Sequence, residues 1–157
     1  MNTMKFIVFI VALSCLCSAK AQVTVEIDPG VKQATDTTLL LLGFTIPAEP
    51  LFGTDSYYQF NAGGWTGEKS AYSIGVARGL QWDLGRRTTM RVSLGGSLIS
   101  NTSDLVSTPF EFYEQFLIER RIRGLDLGLS FRHWSNAGIK KPNVGMNFIG
   151  LQIQAMW

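Results

Sequence analysis

The strongest constraint on this chain is an alternation of apolar and polar residues that recurs segment after segment, punctuated by Gly, Asn and Pro. A period of two belongs to a strand with unlike faces and does not suit an amphipathic helix. The pattern is clearest in the last fifth, Leu125 to Trp157. Leu125, Leu127, Leu129 and Phe131 share one face there, opposed by Asp126, Ser130 and Arg132. After a loop rich in Asn, Gly and Pro, Ile149, Leu151, Ile153, Ala155 and Trp157 share another, opposed by Gln152 and Gln154. Extending the first apolar face forwards reaches His133 and Ser135, and extending the second backwards reaches Asn147. A histidine, a hydroxyl and an amide are thus expected at one end of an apolar surface.

About eight such segments, and no convincing helix, follow from the same period. Val23–Ile27 is short. Leu39–Ile46 is nearly all apolar and is expected to end before Pro47. Ser56–Trp65, Ala71–Asp83, Thr88–Ile99 and Phe110–Arg120 alternate, with Arg78 breaking the apolar face of its segment, so a bulge or a different register is expected there. Leu84–Arg87 and Arg121–Gly124 read as tight turns, Asn101–Pro109 and Asn136–Gly145 as longer loops. Short turns at one end and long loops at the other predict an all-β fold, an eight-stranded antiparallel outer-membrane β-barrel. Its inward face carries Arg91, Glu111, Glu119, Asp126 and Arg132, which a narrow lumen can pair. The competing architecture is a soluble barrel with the faces reversed. Small residues on the polar faces (Ser73, Gly75, Ala77; Ser93, Gly95, Ser97) and aromatics near strand ends, Trp157 among them, favour the membrane form.

Met1–Ala21 reads as a secretory signal, with Lys5, an apolar run from Phe6 to Cys17, and Ala19 and Ala21 before a cut at Gln22. Lipidation at Cys15 or Cys17 fits less well, because Leu16 precedes Cys17 and Ala12 sits three before Cys15. The expected domain is then a single transmembrane barrel over 22–157. Cleavage removes both cysteines, so no disulfide can form, and leaves 12 basic against 12 acidic residues. That balance offers nothing to nucleic acid. One histidine and scattered acids make no metal site, and no phosphate-cradling glycine loop is present, so no cofactor is expected. No segment after the signal approaches the ~20 apolar residues of a membrane helix.

His133 is the only histidine. Alone it would read as a packed or interfacial residue. Ser135 lies two residues on, so both side chains project on one face with Cβ atoms roughly 6–7 Å apart. An imidazole there can act as general base for the hydroxyl. Asn147 on the adjacent strand can accept from the other ring nitrogen, a Ser-His-Asn set related to Cys-His-Asn.

The run His133-Trp134-Ser135-Asn136-Ala137-Gly138, with Pro142-Asn143, Gly145 and a terminal strand, resembles the PagL-type lipid A 3-O-deacylase family. The likeness is strong from His133 to Trp157 and extends weakly to Phe112-Tyr113-Glu114. It implies an outer-membrane serine esterase of Gram-negative bacteria that removes the 3-O-linked acyl chain of lipid A, its site toward the cell-surface leaflet. Ser135 would be the nucleophile and His133 the base. Asn136, Asn143 and backbone N–H groups near Gly138 would serve the oxyanion. The implied partners are lipopolysaccharide and outer-membrane lipid, with a homodimer left open. The family's pattern carries a glutamate where Asn147 stands. Glu114 is the candidate substitute acid: taking Arg121–Gly124 as a two-residue hairpin, Phe112 is expected opposite His133 and Glu114 one diagonal step away. Lys140 and Lys141 can meet lipid A phosphates. The competing readings are a non-enzymatic or inactive barrel, structural or adhesive, and an esterase for another outer-leaflet lipid.

Overall fold

The computed structural model describes residues 22–67 and 70–156, so the expected signal segment Met1–Ala21, Glu68, Lys69 and Trp157 lie outside the described residues. Eight antiparallel strands close in chain order: β1 (Gln22–Val31), β2 (Thr38–Leu51), β3 (Thr54–Thr66), β4 (Ala71–Gly85), β5 (Thr88–Ile99), β6 (Phe110–Ile122), β7 (Leu125–Ser135) and β8 (Met146–Met156), which returns to β1. Among the described residues the helical structure is one 3-10 turn, Lys32–Ala34.

Exposure in the structure settles which way the faces point. Ile74, Leu129 and Leu151 are 58–66% exposed on the outside. Arg132 and Glu111 are fully buried in the lumen. The apolar face therefore looks outward, as a wall in contact with lipid requires, and the reversed, soluble arrangement is excluded.

Several charges in the lumen are paired, partly by residues the strand pattern did not single out, whereas among the described residues the Glu111 carboxylate accepts only from Thr108. Arg132 meets Glu26 on β1 at 2.6 Å and Arg91 meets Glu119 at 3.0 Å. Ser130 donates to Asp28, and Gln115 bridges Gln59, Glu26 and Gln152. Nearer the long loops the lumen is apolar. Trp134, fully buried, packs against Trp65, Tyr113 and Phe148 with ring centroids 5.6–5.8 Å apart and donates its indole N–H to Ser97. This aromatic plug stiffens the part of the wall that carries His133 and Ser135.

Three expectations are corrected. β2 does not end before Pro47 but runs to Leu51, with Pro47 opposite Tyr57. Among the described residues β1 begins at Gln22, opposite Thr45, so on that side Pro47 has no ladder partner to lose. Arg78 causes no bulge: it keeps regular register with Tyr58 and Leu94. Its guanidinium lies 4.4 Å from the Tyr58 ring centroid and donates to the Glu49 carbonyl at 2.6 Å and to the Ser56 hydroxyl, so an outward cation is accommodated without breaking the strand. The β4 irregularity falls instead between Asp83 and Gly85. Finally, the β6–β7 hairpin closes on Ile122↔Leu125 with Arg123 and Gly124 as its whole loop. That places Glu114 directly opposite His133, and Phe112 opposite Ser135.

Candidate active site

His133 and Ser135 end β7 on the parity of Leu125, Leu127, Leu129 and Phe131, hence on the outside of the wall, and both are half-buried. Asn147 opens β8 directly opposite His133. The imidazole Nδ1 lies 2.9 Å from the Asn147 Oδ1. An amide oxygen only accepts, so in this bond Nδ1 carries the proton and Nε2 keeps its lone pair. On the other side of His133 stands Glu114 of β6, exposed. Among the described residues no hydrogen bond joins His133 to Glu114 or to Ser135.

The loop between β7 and β8 is held by asparagines. The Asn136 amide, fully buried, accepts from the Gly138 N–H and donates to the Ser107 hydroxyl and the Lys140 carbonyl, all at 2.8–2.9 Å. The Asn136 backbone N–H donates to the Asn143 Oδ1 at 3.1 Å. The N–H groups of Asn136 and Gly138, both expected to face an oxyanion, are therefore already engaged within the loop. The Asn143 side-chain N–H₂ has no partner among the described residues.

Residues that sequence reasoning did not single out complete the frame. Gly145 donates its N–H to the Leu105 carbonyl and Asn136 holds Ser107, so the β5–β6 loop straps the β7–β8 loop. Gly145 has φ +77°, and a Cβ there would come 2.6 Å from Cε1 and 3.2 Å from Nε2 of His133. The missing side chain is what admits the imidazole. Pairing between loops about thirty positions apart leaves no periodic trace, and the glycine in the PNxG run was the one available signal. Lys140 and Lys141 are exposed on the same loop. Among the described residues no group of three His, Cys, Asp or Glu could hold a metal.

Below the site the exterior stays apolar. Phe131, Leu129 and Phe116 and, on β8, Ile149 and Leu151 form an uninterrupted exposed strip. Phe110 and Phe112 meet edge to face at 5.1 Å, and the Phe110 ring occupies the space a side chain on Gly96 would need. Chemically, the site offers a hydroxyl, a base of fixed tautomer and an unengaged amide donor, bordered by a surface suited to acyl chains.

Comparison with known proteins bears on the family and the fold. Residues 37–155 match the family described as lipid A 3-O-deacylase (PagL). A curated relative from Bordetella bronchiseptica, lipid A deacylase PagL, is 32% identical over 78 residues, 45% of this chain and 42% of the relative, so the match spans under half of that protein's length. Two solved structures share the fold. The crystal structure of the outer membrane enzyme PagL superposes with a TM-score of 0.71 at 18% identity, covering 85% of this chain and 98% of that one. A structure from the de novo design of transmembrane β-barrels gives 0.61 at 12% identity, covering 87% and 94%.

Proposed function

The chain belongs to the lipid A 3-O-deacylase (PagL) family, and from that premise we propose that it is an outer-membrane serine esterase cleaving the 3-O-linked acyl chain of lipid A. The observation that carries the proposal is the bonded His133–Asn147 pair beside Ser135 on the outer face of a barrel whose lumen is plugged. A water-soluble ester would be met in a cleft. A nucleophile on the lipid side of the wall suits an ester that arrives in the plane of the membrane.

In the proposed reaction, Nε2 of His133 takes the Ser135 proton as Oγ attacks the ester carbonyl. The Asn143 amide donates to the developing oxyanion. Asn136 and Gly138 hold the loop that aims it. Collapse expels the 3-hydroxyl of lipid A, which receives the proton from His133, and leaves an acyl-Ser135 ester. Water, deprotonated by His133, then releases the fatty acid. Asn147 orients the ring, while Glu114, directly opposite, supplies the negative charge that an amide cannot. The freed acyl chain lies along the strip from Phe131 to Leu151.

The signal segment Met1–Ala21 directs export, and the end of the barrel bearing the long loops faces the cell surface, where Lys140 and Lys141 meet lipid A phosphates. Expression in a Gram-negative host should lower lipid A mass by one hydroxyacyl group, and Ser135→Ala should restore the parent mass. Identical spectra for both proteins across several lipid A types would refute the esterase. The second reading, an inactive barrel, is favoured by the amide at Asn147 and predicts that result.

A further inference from the structure

At the end of the barrel opposite the site, the β4–β5 and β6–β7 turns bring five arginines together. Arg86, Arg87, Arg120, Arg121 and Arg123, with Ile122, line an open hollow of about 540 Å³. The two turns are tied directly: the Arg121 N–H donates to the Arg87 carbonyl at 2.9 Å, and Arg120 stands opposite Thr88. Arg121 spends its guanidinium on Asp126 in two bonds of 2.7–2.8 Å. The other nearby acids are committed elsewhere: Asp83 accepts from the Gly85 N–H, and Glu119 pairs with Arg91 in the lumen. Among the described residues no carboxylate pairs with Arg86, Arg87, Arg120 or Arg123.

Such crowding of one charge sign is unfavourable unless an anion is drawn in. Guanidinium groups suit phosphate oxygens in particular. The setting identifies the anion further. Arg120 faces outward on β6 beside Leu127 of β7, and Leu84, Ile122 and Leu125 are exposed at the same level. The cations therefore mark the height at which the apolar belt gives way to headgroups.

We propose that these arginines form a binding site for the phosphodiester headgroup of an anionic diacyl phospholipid, whose chains lie against Leu84, Leu125 and Leu127. The site rests on the membrane-spanning reading of the barrel and is independent of the esterase chemistry. It would anchor the barrel at the leaflet opposite to the one carrying its substrate.

The test uses the full mature chain refolded in a neutral detergent, with native mass spectrometry against phosphatidylglycerol, phosphatidylcholine and inorganic phosphate. Phosphatidylglycerol should be retained over phosphatidylcholine by more than about tenfold, and Arg86→Gln with Arg87→Gln, or Arg120→Gln with Arg123→Gln, should each weaken it by roughly fivefold per arginine removed. Far-UV circular dichroism checks folding, and the pairwise variants serve if a fourfold variant does not refold. Equal retention of the two lipids overturns the proposal, as does a preference unchanged in both variants. Displacement of phosphatidylglycerol by millimolar inorganic phosphate would show a free-anion site and equally overturn it. Lipid A deacylation measured on the same samples separates failure here from failure of the esterase reading, since no residue of that site is altered.

Discussion

Nδ1 of His133 lies 2.9 Å from Oδ1 of Asn147 across the β7–β8 ladder, with Glu114 on the opposite flank of the same imidazole. The ring is thus held by a neutral acceptor on one strand, and its residue is paired in register with an acidic residue on the other. In the proposed mechanism, orientation and charge, which one acid supplies in a Ser-His-Asp triad, are divided between these two residues.

This division predicts unequal responses. Asn147→Asp keeps the acceptor and adds charge, so kcat should rise by about tenfold or more, within the ~10⁴ span of the Asp-to-Asn change in serine proteases. Glu114→Gln should lower kcat in the parent and much less in the Asn147→Asp background. Steady-state deacylation by the four proteins of that double-mutant cycle measures the coupling, and strict additivity would remove Glu114 from the mechanism.

Gly145 is expected to be intolerant of any side chain. Alanine there meets His133 Cε1 at 2.6 Å and sits at φ +77°, so the imidazole must shift or the loop must open. Gly145→Ala should reduce kcat by ~10² or more, in keeping with misplacement of about 1 Å. Reactivity of Ser135 toward a fluorophosphonate probe reads the same loss without lipid A.

Asn143 and Asn136 should separate cleanly. Removing an oxyanion donor costs ~10²–10³ in kcat, so Asn143→Ala should lose that much while costing only about 1 kcal/mol in unfolding, because a single loop bond, from the Asn136 N–H, goes with it. Asn136→Ala instead strands the Gly138 N–H and removes one partner each from the Ser107 hydroxyl and the Lys140 carbonyl, which keep only their mutual bond. It should cost about 1–3 kcal/mol in urea unfolding from detergent micelles, with lowered activity following from the loosened loop.

The lumen makes a prediction unrelated to catalysis. Glu26→Ala leaves Arg132, fully buried, without its 2.6 Å partner and should destabilise the barrel by about 3–5 kcal/mol. Glu26→Ala combined with Arg132→Leu should recover much of the loss in the same urea titration, because the uncompensated charge is gone.

Alternation made most of the wall legible: the parity of Leu129 against Ser130 and Arg132, or of Val92 against Arg91 and Ser93, follows from the strand's period of two. Pro47 and Arg78 misled because each was judged against an isolated strand. Among the described residues Pro47 meets no β1 partner on one side, and Arg78 is received by a ring and a carbonyl. Both are matters of neighbours rather than of local pattern.

His133, Ser135 and Asn147 were expected at one height on one face because period and loop position fix side-chain parity, and parity needs no knowledge of the partner strand. Register does need it. The closing of β6–β7 on Arg123 and Gly124 put Glu114 directly opposite His133 in register instead of one diagonal step away. The same holds for the strap from Leu105 and Ser107, for Gly145 beneath His133 and for Glu26 opposite Arg132. Sequence by itself determined which residues share a face of the wall, since that depends on backbone geometry repeated every two residues. Only the tertiary structure decided which of them touch, because hydrogen bonds and charge pairs form across strands and loops whose separation along the chain carries no record of their distance in space.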